Sequence, residues 1–246
     1  MNALNRGGQQ HYLEQDSLIL IPTYNESCNI KDLIISIFAL HPRINILIID
    51  GNSSDETCAI IKSLKKTYPN LHLFIQESKN GLGKAYICGF EIGIKHKYNY
   101  FIQMDADFSH NPKYISNFLD YLSDFDVVIG SRNIKGGSVV GWNLFRKILS
   151  FGGSLYARIV LGVRIMDFTG GFNAYNLKAI KSINIKQINS NGYCFQIEMK
   201  YRAKKANLKI IEFPICFCDR EKGKSKMSKS IIFEAIYKTL LLRFKI

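Results

Sequence analysis

Short runs of branched and aromatic apolar residues recur through the first half of this chain. Each is cut off by a polar or Gly/Pro break before a segment of helical periodicity begins. Leu18-Ile19-Leu20-Ile21 stops at Pro22, and Ile30, Leu33, Ile34, Ile37 and Phe38 then repeat at helical spacing as far as His41-Pro42. Ile46-Leu47-Ile48-Ile49 stops at Asp50-Gly51, and Ser53 with Glu56 reads as a capping box for a helix running to about Tyr68. Leu71 to Ile75 forms a third apolar run, and Gly81-Leu82-Gly83-Lys84 turns into a helix through about Lys95. Phe101-Ile102-Gln103-Met104 is the fourth run. Pro112 opens a helix with Ile115, Phe118, Leu119 and Leu122 on one face, and Val127-Val128-Ile129 is a fifth strand ending at Gly130-Ser131-Arg132. Strands alternating with helices roughly every 30 residues predict right-handed βαβ units and an α/β fold with a mostly parallel central sheet.

The pattern weakens after residue 133. Gly136-Gly137 reads as a loop, Leu144 to Leu161 as a helix, and Asp167 to Tyr175 as an irregular or short-strand region. A helix over Gly192 to Ala206 and a strand over Leu208 to Phe217 follow. Arg220 to Lys229 is a basic loop, and Ile231 to Ile246 a final amphipathic helix. The domain reading is a disordered polar tail at 1–16, a catalytic domain at 17–230 and the terminal helix at 231–246.

Directly after the fourth strand stand Asp105 and Asp107, spaced i, i+2. In extended backbone such residues share a face, and open α/β sheets bind ligands at the carboxyl ends of their strands. Two hard oxygen donors there suit Mg²⁺ or Mn²⁺, which bridge carboxylates to substrate phosphates. The other strand ends are polar too, with Thr23-Tyr24-Asn25-Glu26, Asp50 and Ser131-Arg132. A phosphorylated ligand in the shared crevice accounts for carboxylates, through a metal, and for Arg132 directly.

Lys and Arg number 33 against 20 Asp and Glu, a net charge of +13 that calls for an anionic partner. No apolar run reaches the ~18 to 20 residues of a membrane span. None of the six cysteines sits in a CxxC pair, so they read as reduced thiols, and the histidines form no metal pattern. No aromatic RNP-type motif, zinc pattern or basic zipper supports a nucleic-acid partner.

Pro22-Thr23-Tyr24-Asn25-Glu26, Asp50 with Ser53-Ser54-Asp55, Gly81-Leu82-Gly83 and Asp105-Ala106-Asp107 resemble the inverting nucleotide-sugar glycosyltransferases with the A-type, Rossmann-like fold. The later signals narrow the resemblance: Gly130-Ser131-Arg132, Gly141-Trp142 with Arg146-Lys147, Asp167-Phe168-Thr169-Gly170-Gly171-Phe172, Gly192-Tyr193 with Phe195-Gln196-Ile197-Glu198-Met199, and Asp219-Arg220 with Gly223 and Ser225-Lys226. These are similar to the dolichyl-phosphate (polyprenyl-phosphate) mannose synthases, in order, over about residues 17 to 230.

The resemblance implies transfer of mannose from GDP-mannose to a polyprenyl phosphate with inversion, supplying downstream glycosylation. It implies that Pro22, Tyr24 and Glu26 contact base and ribose beside Ile49 and Asp50. Asp105, Ala106 and Asp107 would bind the diphosphate, with Asp105 and Asp107 holding Mg²⁺ or Mn²⁺. Arg132, Arg220 and Lys226 would contact phosphate, with Arg146 a second candidate for the acceptor; Asp107 and Arg132 would be the catalytic pair. The expected location is peripheral, on the cytosolic face of a membrane (endoplasmic reticulum in a eukaryote, plasma membrane in a prokaryote), with the Leu144–Leu161 and Ile231–Ile246 helices on its surface and small membrane subunits as further partners.

Gly51 stands where the family usually has a second Asp, Ser109 where some relatives have a Gln-type ligand, and Asn173 where Arg is frequent. Three alternatives stay open: transfer of glucose from UDP-glucose to the same acceptor, a basic nucleic-acid-binding module, and a non-catalytic membrane partner. From the residues alone, Glu26 and Asp50 could simply cap helices, Arg132 could pair with a surface carboxylate, and Glu198 suits a structural hydrogen bond better than a catalytic base.

Overall fold

The computed structural model describes residues 13–190, 192–220 and 229–245. Nine strands are described: β1 Ser17–Thr23, β2 Asn45–Asp50, β3 Leu71–Ile75, β4 Tyr100–Gln103, β5 Val127–Ser131, β6 Ser138–Val140, β7 Asn173–Asn176, β8 Ile210–Pro214 and β9 Cys216–Cys218. The helices are α1 Ile30–Leu40, α2 Thr57–Leu64, α3 Leu82–Lys95, α4 Ile115–Leu122, α5 Leu144–Leu161, α6 Leu177–Ile183, α7 Gly192–Lys205 and α8 Lys229–Lys245.

Seven strands form one sheet in the order β3-β2-β1-β4-β7-β5-β8, and β6 pairs with β9 in a second, two-stranded sheet. Strand β1 is buried along its length, and its side chains alternate between two cores, as the period of two requires. Leu18 and Leu20 join Leu47, Ile49 and Phe101 on the face covered by α3, α5, α6 and α7. Ile19 and Ile21 join Ile46, Ile48 and Ile102 on the face covered by α1, α2 and α4. That two-sided burial is why these runs read as continuous apolar stretches.

Strand β7 is the one antiparallel member of the large sheet among the described strands, paired with β4 on one side and β5 on the other. Gln103, the last residue of β4, sits opposite Asn173, the first of β7. The segment leading into β7, Asp167 to Phe172, therefore enters the sheet at the edge where β1, β2 and β4 end. One reversed strand adds a second loop to the crevice.

Several expectations change. Within the tail expected at 1–16, Leu13 to Gln15 are helical and Glu14 is buried with its carboxylate 2.8 Å from His41 Nδ1; residues 1–12 lie outside the described residues. The capping box is absent. Glu56 precedes α2 without a side-chain cap, Ser53 serves Asp50 instead, and α2 ends at Leu64. The single strand expected over Leu208 to Phe217 is two. Pro214 ends β8, having no N–H to continue the ladder, and the chain crosses to the small sheet as β9. Helix α5 spans the expected residues, with Asn143 Oδ1 accepting from Arg146 N and Gly162 closing it at φ 66°. Of the basic loop at 220–229, residues 221–228 lie outside the described residues.

Candidate active site

A cavity of about 310 Å³ opens at the carboxyl ends of β1, β2 and β4. Pro22, Tyr24, Glu26 and Ile49 line one end, Asp105, Ala106 and Asp107 the middle, and Thr169, Gly171, Gln196 and Arg220 the far end. Eight of the expected substrate residues are thus brought together. Lys226 lies outside the described residues, and Asp50, Arg132 and Arg146 stand outside this wall.

Asp50 is fully buried and committed to its own turn. Its carboxylate accepts from Thr23 Oγ1 at 2.6 Å and from Ser53 N and Oγ at 2.7 Å each. It shapes the β1 and β2 exits, and Gly51 takes the place at the wall expected for it. Glu26 does act as a turn residue through its carbonyl, which accepts from Asn29 N and Ile30 N, yet its side chain remains at the cavity. Opposite it, Lys79 Nζ lies 4.2 Å from the Tyr24 ring centroid, a cation–π contact at the cavity rim.

The two aspartates are held differently. Asp107 Oδ1 accepts from Ser109 N and Oγ, at 3.2 and 2.6 Å, after Phe108 takes a left-handed φ of 61° that turns the chain back. Asp107 Oδ2 is 3.1 Å from Arg220 Nη2. Asp105 donates its backbone N–H to His110 Nδ1 at 3.0 Å, which leaves His110 Nε2 as the protonated nitrogen, 3.8 Å from Asp105 Oδ2. Burial pushes the Asp105 carboxyl above its ordinary range, His110 opposing and Asp107 adding to the shift. Burial also lowers His110, which stacks on Phe172 at 4.6 Å and stays neutral near pH 7. His110, five residues after Asp105, thus stands at this strand end as an orienting neighbour.

Asp105 and Asp107, two carboxylates that face one cavity, form a donor set that fits a hard divalent cation. Among the described residues no third carboxylate, His or Cys completes a protein-only cage. That suits an ion that keeps water and ligand phosphates as its remaining donors.

Arg132 is not at the cavity wall and does not pair with a surface carboxylate. Its Nε and Nη2 each donate at 2.7 Å to Asp167, its backbone N–H adds a third bond at 2.9 Å, and Nη2 also reaches Thr169 Oγ1 at 2.9 Å. Burial alone would raise Asp167, but Arg132 and Lys200 outweigh it and hold the carboxyl well below the usual range. Arg132 therefore acts on the cavity through Thr169. Arg146 pairs with Asp219 at 2.8 Å and lies 4.6 Å from the Trp142 ring centroid. Glu198 is buried, bound by Ser190 and Arg202, a structural role. Lys79 and Gln196 at the cavity and His110 beside it join the site with no local pattern that marks them, although Gln196 belongs to the motif at 195–199.

The chain matches the family model described as glycosyl transferase family 2 over residues 18–183. It is 40% identical over 226 residues to a polyprenol monophosphomannose synthase of Mycolicibacterium smegmatis, covering 91% of this chain and 85% of that one. It is 39% identical over 222 residues to an undecaprenyl-phosphate mannosyltransferase of Micrococcus luteus, covering 89% and 90%. Among solved structures, glucosyl-3-phosphoglycerate synthase of Mycobacterium tuberculosis, in complex with Mn²⁺, UDP and glucosyl-3-phosphoglycerate, has the same fold. The TM-score is 0.69 at 16% identity, over 99% of this chain and 85% of that chain. The chain belongs to glycosyl transferase family 2, with the A-type fold, and within that family it resembles the polyprenyl-phosphate mannose synthases.

Proposed function

We propose that the protein transfers mannose from GDP-mannose to a polyprenyl phosphate, with inversion, at a membrane surface. The observation that carries this reading is the meeting of Asp105, Asp107 and Arg220 in one cavity, in a chain 40% identical to a polyprenol monophosphomannose synthase. The nucleoside belongs at the Pro22, Tyr24 and Glu26 end, and the diphosphate beside the aspartates. A Mg²⁺ or Mn²⁺ ion bound by Asp105 and Asp107 would supply positive charge against the departing diphosphate.

The chain's own residues do the rest. Arg220, now on Asp107, shifts part of its charge to phosphate when the ligand enters. Asp167 and Thr169 hold the Arg132 charge just behind the wall. A phosphate monoester has its second pKa near ~6 and is largely dianionic at neutral pH, so the acceptor needs no protein base. His110 accordingly positions Asp105 and abstracts nothing. One in-line displacement turns an α-linked donor into a β-linked product.

The acceptor's setting agrees with the surface. Helix α5 presents Leu144, Phe145, Ile148 and Phe151 to solvent, and α8, packed against it, presents Ile236, Tyr237, Leu240 and Phe244. Among the described residues no helix is long and apolar enough to cross a membrane. Such faces, edged by Lys147, Arg158 and Lys238, suit the cytosolic side of an anionic bilayer.

The test is mass analysis of lipid products after incubating purified protein with polyprenyl phosphate, Mg²⁺ or Mn²⁺, and a panel of nucleotide sugars. Polyprenyl-phosphate mannose from GDP-mannose is expected, lost with chelator and with Asp107→Ala. No transfer from GDP-mannose overturns the reading. Transfer from UDP-glucose instead would select the glucosyl alternative that Gly51 leaves open.

A further inference from the structure

Lys200 is a buried ammonium that the reaction as described does not use. Its residue is 0% exposed in the middle of α7, where Phe195 and Met199 pack into the core. Burying an ammonium is costly unless its donors are matched. Here the match is numerical. Nζ donates to the carbonyls of Asp167 at 2.8 Å, Phe168 at 3.2 Å and Gly170 at 2.8 Å. Three N–H groups meet three main-chain acceptors, all on the segment that precedes β7.

That segment does three things at the cavity. Asp167 holds Arg132, Thr169 carries the Arg132 contact to the wall, and Gly171 forms the wall beside Asp105 and His110. The Asp167, Phe168 and Gly170 carbonyls converge on Lys200, and the Gly170 carbonyl also accepts from Asn173 Nδ2 at 3.1 Å. Without a cation there, three carbonyl dipoles would crowd one another in an apolar interior.

We propose that Lys200 is a positioning residue for transfer, whose charged amine ties the Asp167–Gly170 carbonyls and so sets the wall carrying Thr169 and Gly171. The inference rests on the transferase reading given above. A neutral amine has only two hydrogens and turns a lone pair toward one carbonyl, so the tie needs the proton. The charged groups around Lys200 are Asp167, Arg132 and Glu212. Burial, with Arg132 adding, lowers its pKa, while Asp167 and Glu212 raise it, and the balance leaves it at about 8. Transfer is therefore expected to fall as pH rises through that value.

The experiment compares the parent with Lys200→Met and Lys200→Ala. For the parent, kcat should show an alkaline limb with a midpoint near 8, with KM for the nucleotide sugar little changed, because the nucleoside end is elsewhere. Lys200→Met should be slower by roughly 10- to 100-fold at pH 7, the range expected for a lost charged hydrogen-bond set, and should lack that limb. Lys200→Ala should recover part of its rate on adding propylammonium, which can occupy the vacated stem and restore the donors. Hydrogen exchange reads the same tie without turnover. Amides of 167–171 should exchange faster in Lys200→Met while β1 and β2 do not change. If the variants keep the alkaline limb, or if exchange at 167–171 is unaltered, the proposal falls. An inactive parent whose 167–171 exchange still depends on Lys200 overturns the transferase reading and leaves the tie standing.

Discussion

The carboxylate of Asp167 grips the Arg132 guanidinium at two points, each 2.7 Å, with both side chains out of solvent. The pair spans two loops, one at the end of β5 and one before β7. Removing one partner would strand the other charge in the interior. Asp167→Asn should cost about 3–5 kcal/mol, the usual penalty for breaking a buried pair, measured by urea unfolding at pH 7. Because Asp167 titrates well below its unfolded value of about 3.9, its stabilisation is complete above about pH 4. It disappears as pH falls from there toward the folded value. The gap between parent and variant should therefore close on acidification below about pH 4. A gap that stays constant down to pH 2 would show that the carboxylate charge is not what matters.

Lys200 gives the opposite limb. Its folded pKa is about 8 against an ordinary 10.5. Between those values the unfolded chain holds more protons than the folded one, so stability attributable to this group rises with pH. Unfolding midpoints of parent and Lys200→Met, taken at pH 7.5 and 10, should diverge in favour of the parent at the higher pH. Transfer is expected to decline over the same interval, so the two measurements move in opposite directions. Parallel decline would mean general alkaline damage and no specific tie.

The sequence discloses what period and composition carry. The buried strands β1, β2, β4 and β5 were legible because parallel strands covered on both faces must be apolar throughout. The aspartate pair was legible because its spacing and its position after β4 carry chemical meaning. Strand β7 was barely legible, since Asn173-Ala174-Tyr175-Asn176 has no apolar run and its reversed direction depends on long-range pairing with β4 and β5. Lys200 was invisible for a related reason. In Met199-Lys200-Tyr201-Arg202 it looks like Lys204 and Lys205, yet those two are exposed and Lys200 is not. Arg132 and Asp50 carry the residue types of ligand-binding side chains, but their partners, 35 and 27 residues distant, bind them to the frame around the cavity. No local pattern announces such pairings.

Two glycines make opposite forecasts. Gly93 on α3 faces β1 and β4, where an added Cβ would run into the Phe101 ring and come within 2.9 Å of Leu18 Cδ2. Gly93→Ala should destabilise by about 1–3 kcal/mol through overpacking, even after the better helix propensity of alanine is counted. Gly152 on α5 has nothing within 4 Å of an added Cβ and no left-handed φ. Gly152→Ala should stabilise by about 0.5–1 kcal/mol, because glycine is the poorer residue inside a helix. Thermal unfolding of both variants checks the pair. Equal shifts in one direction would mean that the close approach of α3 to the sheet does not constrain this helix.

Helix α5 turns an apolar stripe outward. Phe145 is 71% exposed and Ile148 61%, while the side toward the core offers Ser154, Ala157 and Leu161. A helix stabilised only by the core would carry its large residues on the other side. If this stripe enters a lipid surface, each large side chain transferred contributes about 1.5–3 kcal/mol, and each nearby Lys or Arg about 1 kcal/mol on an anionic leaflet. Phe145→Glu combined with Ile148→Glu should therefore reduce co-sedimentation with anionic phospholipid vesicles by more than about tenfold. The melting temperature should barely move, since neither residue is packed. Parent binding should weaken with added salt and persist in part on neutral vesicles through the apolar term. Vesicle binding equal to the parent's in the double variant would mean that the protein meets its lipid acceptor by another face.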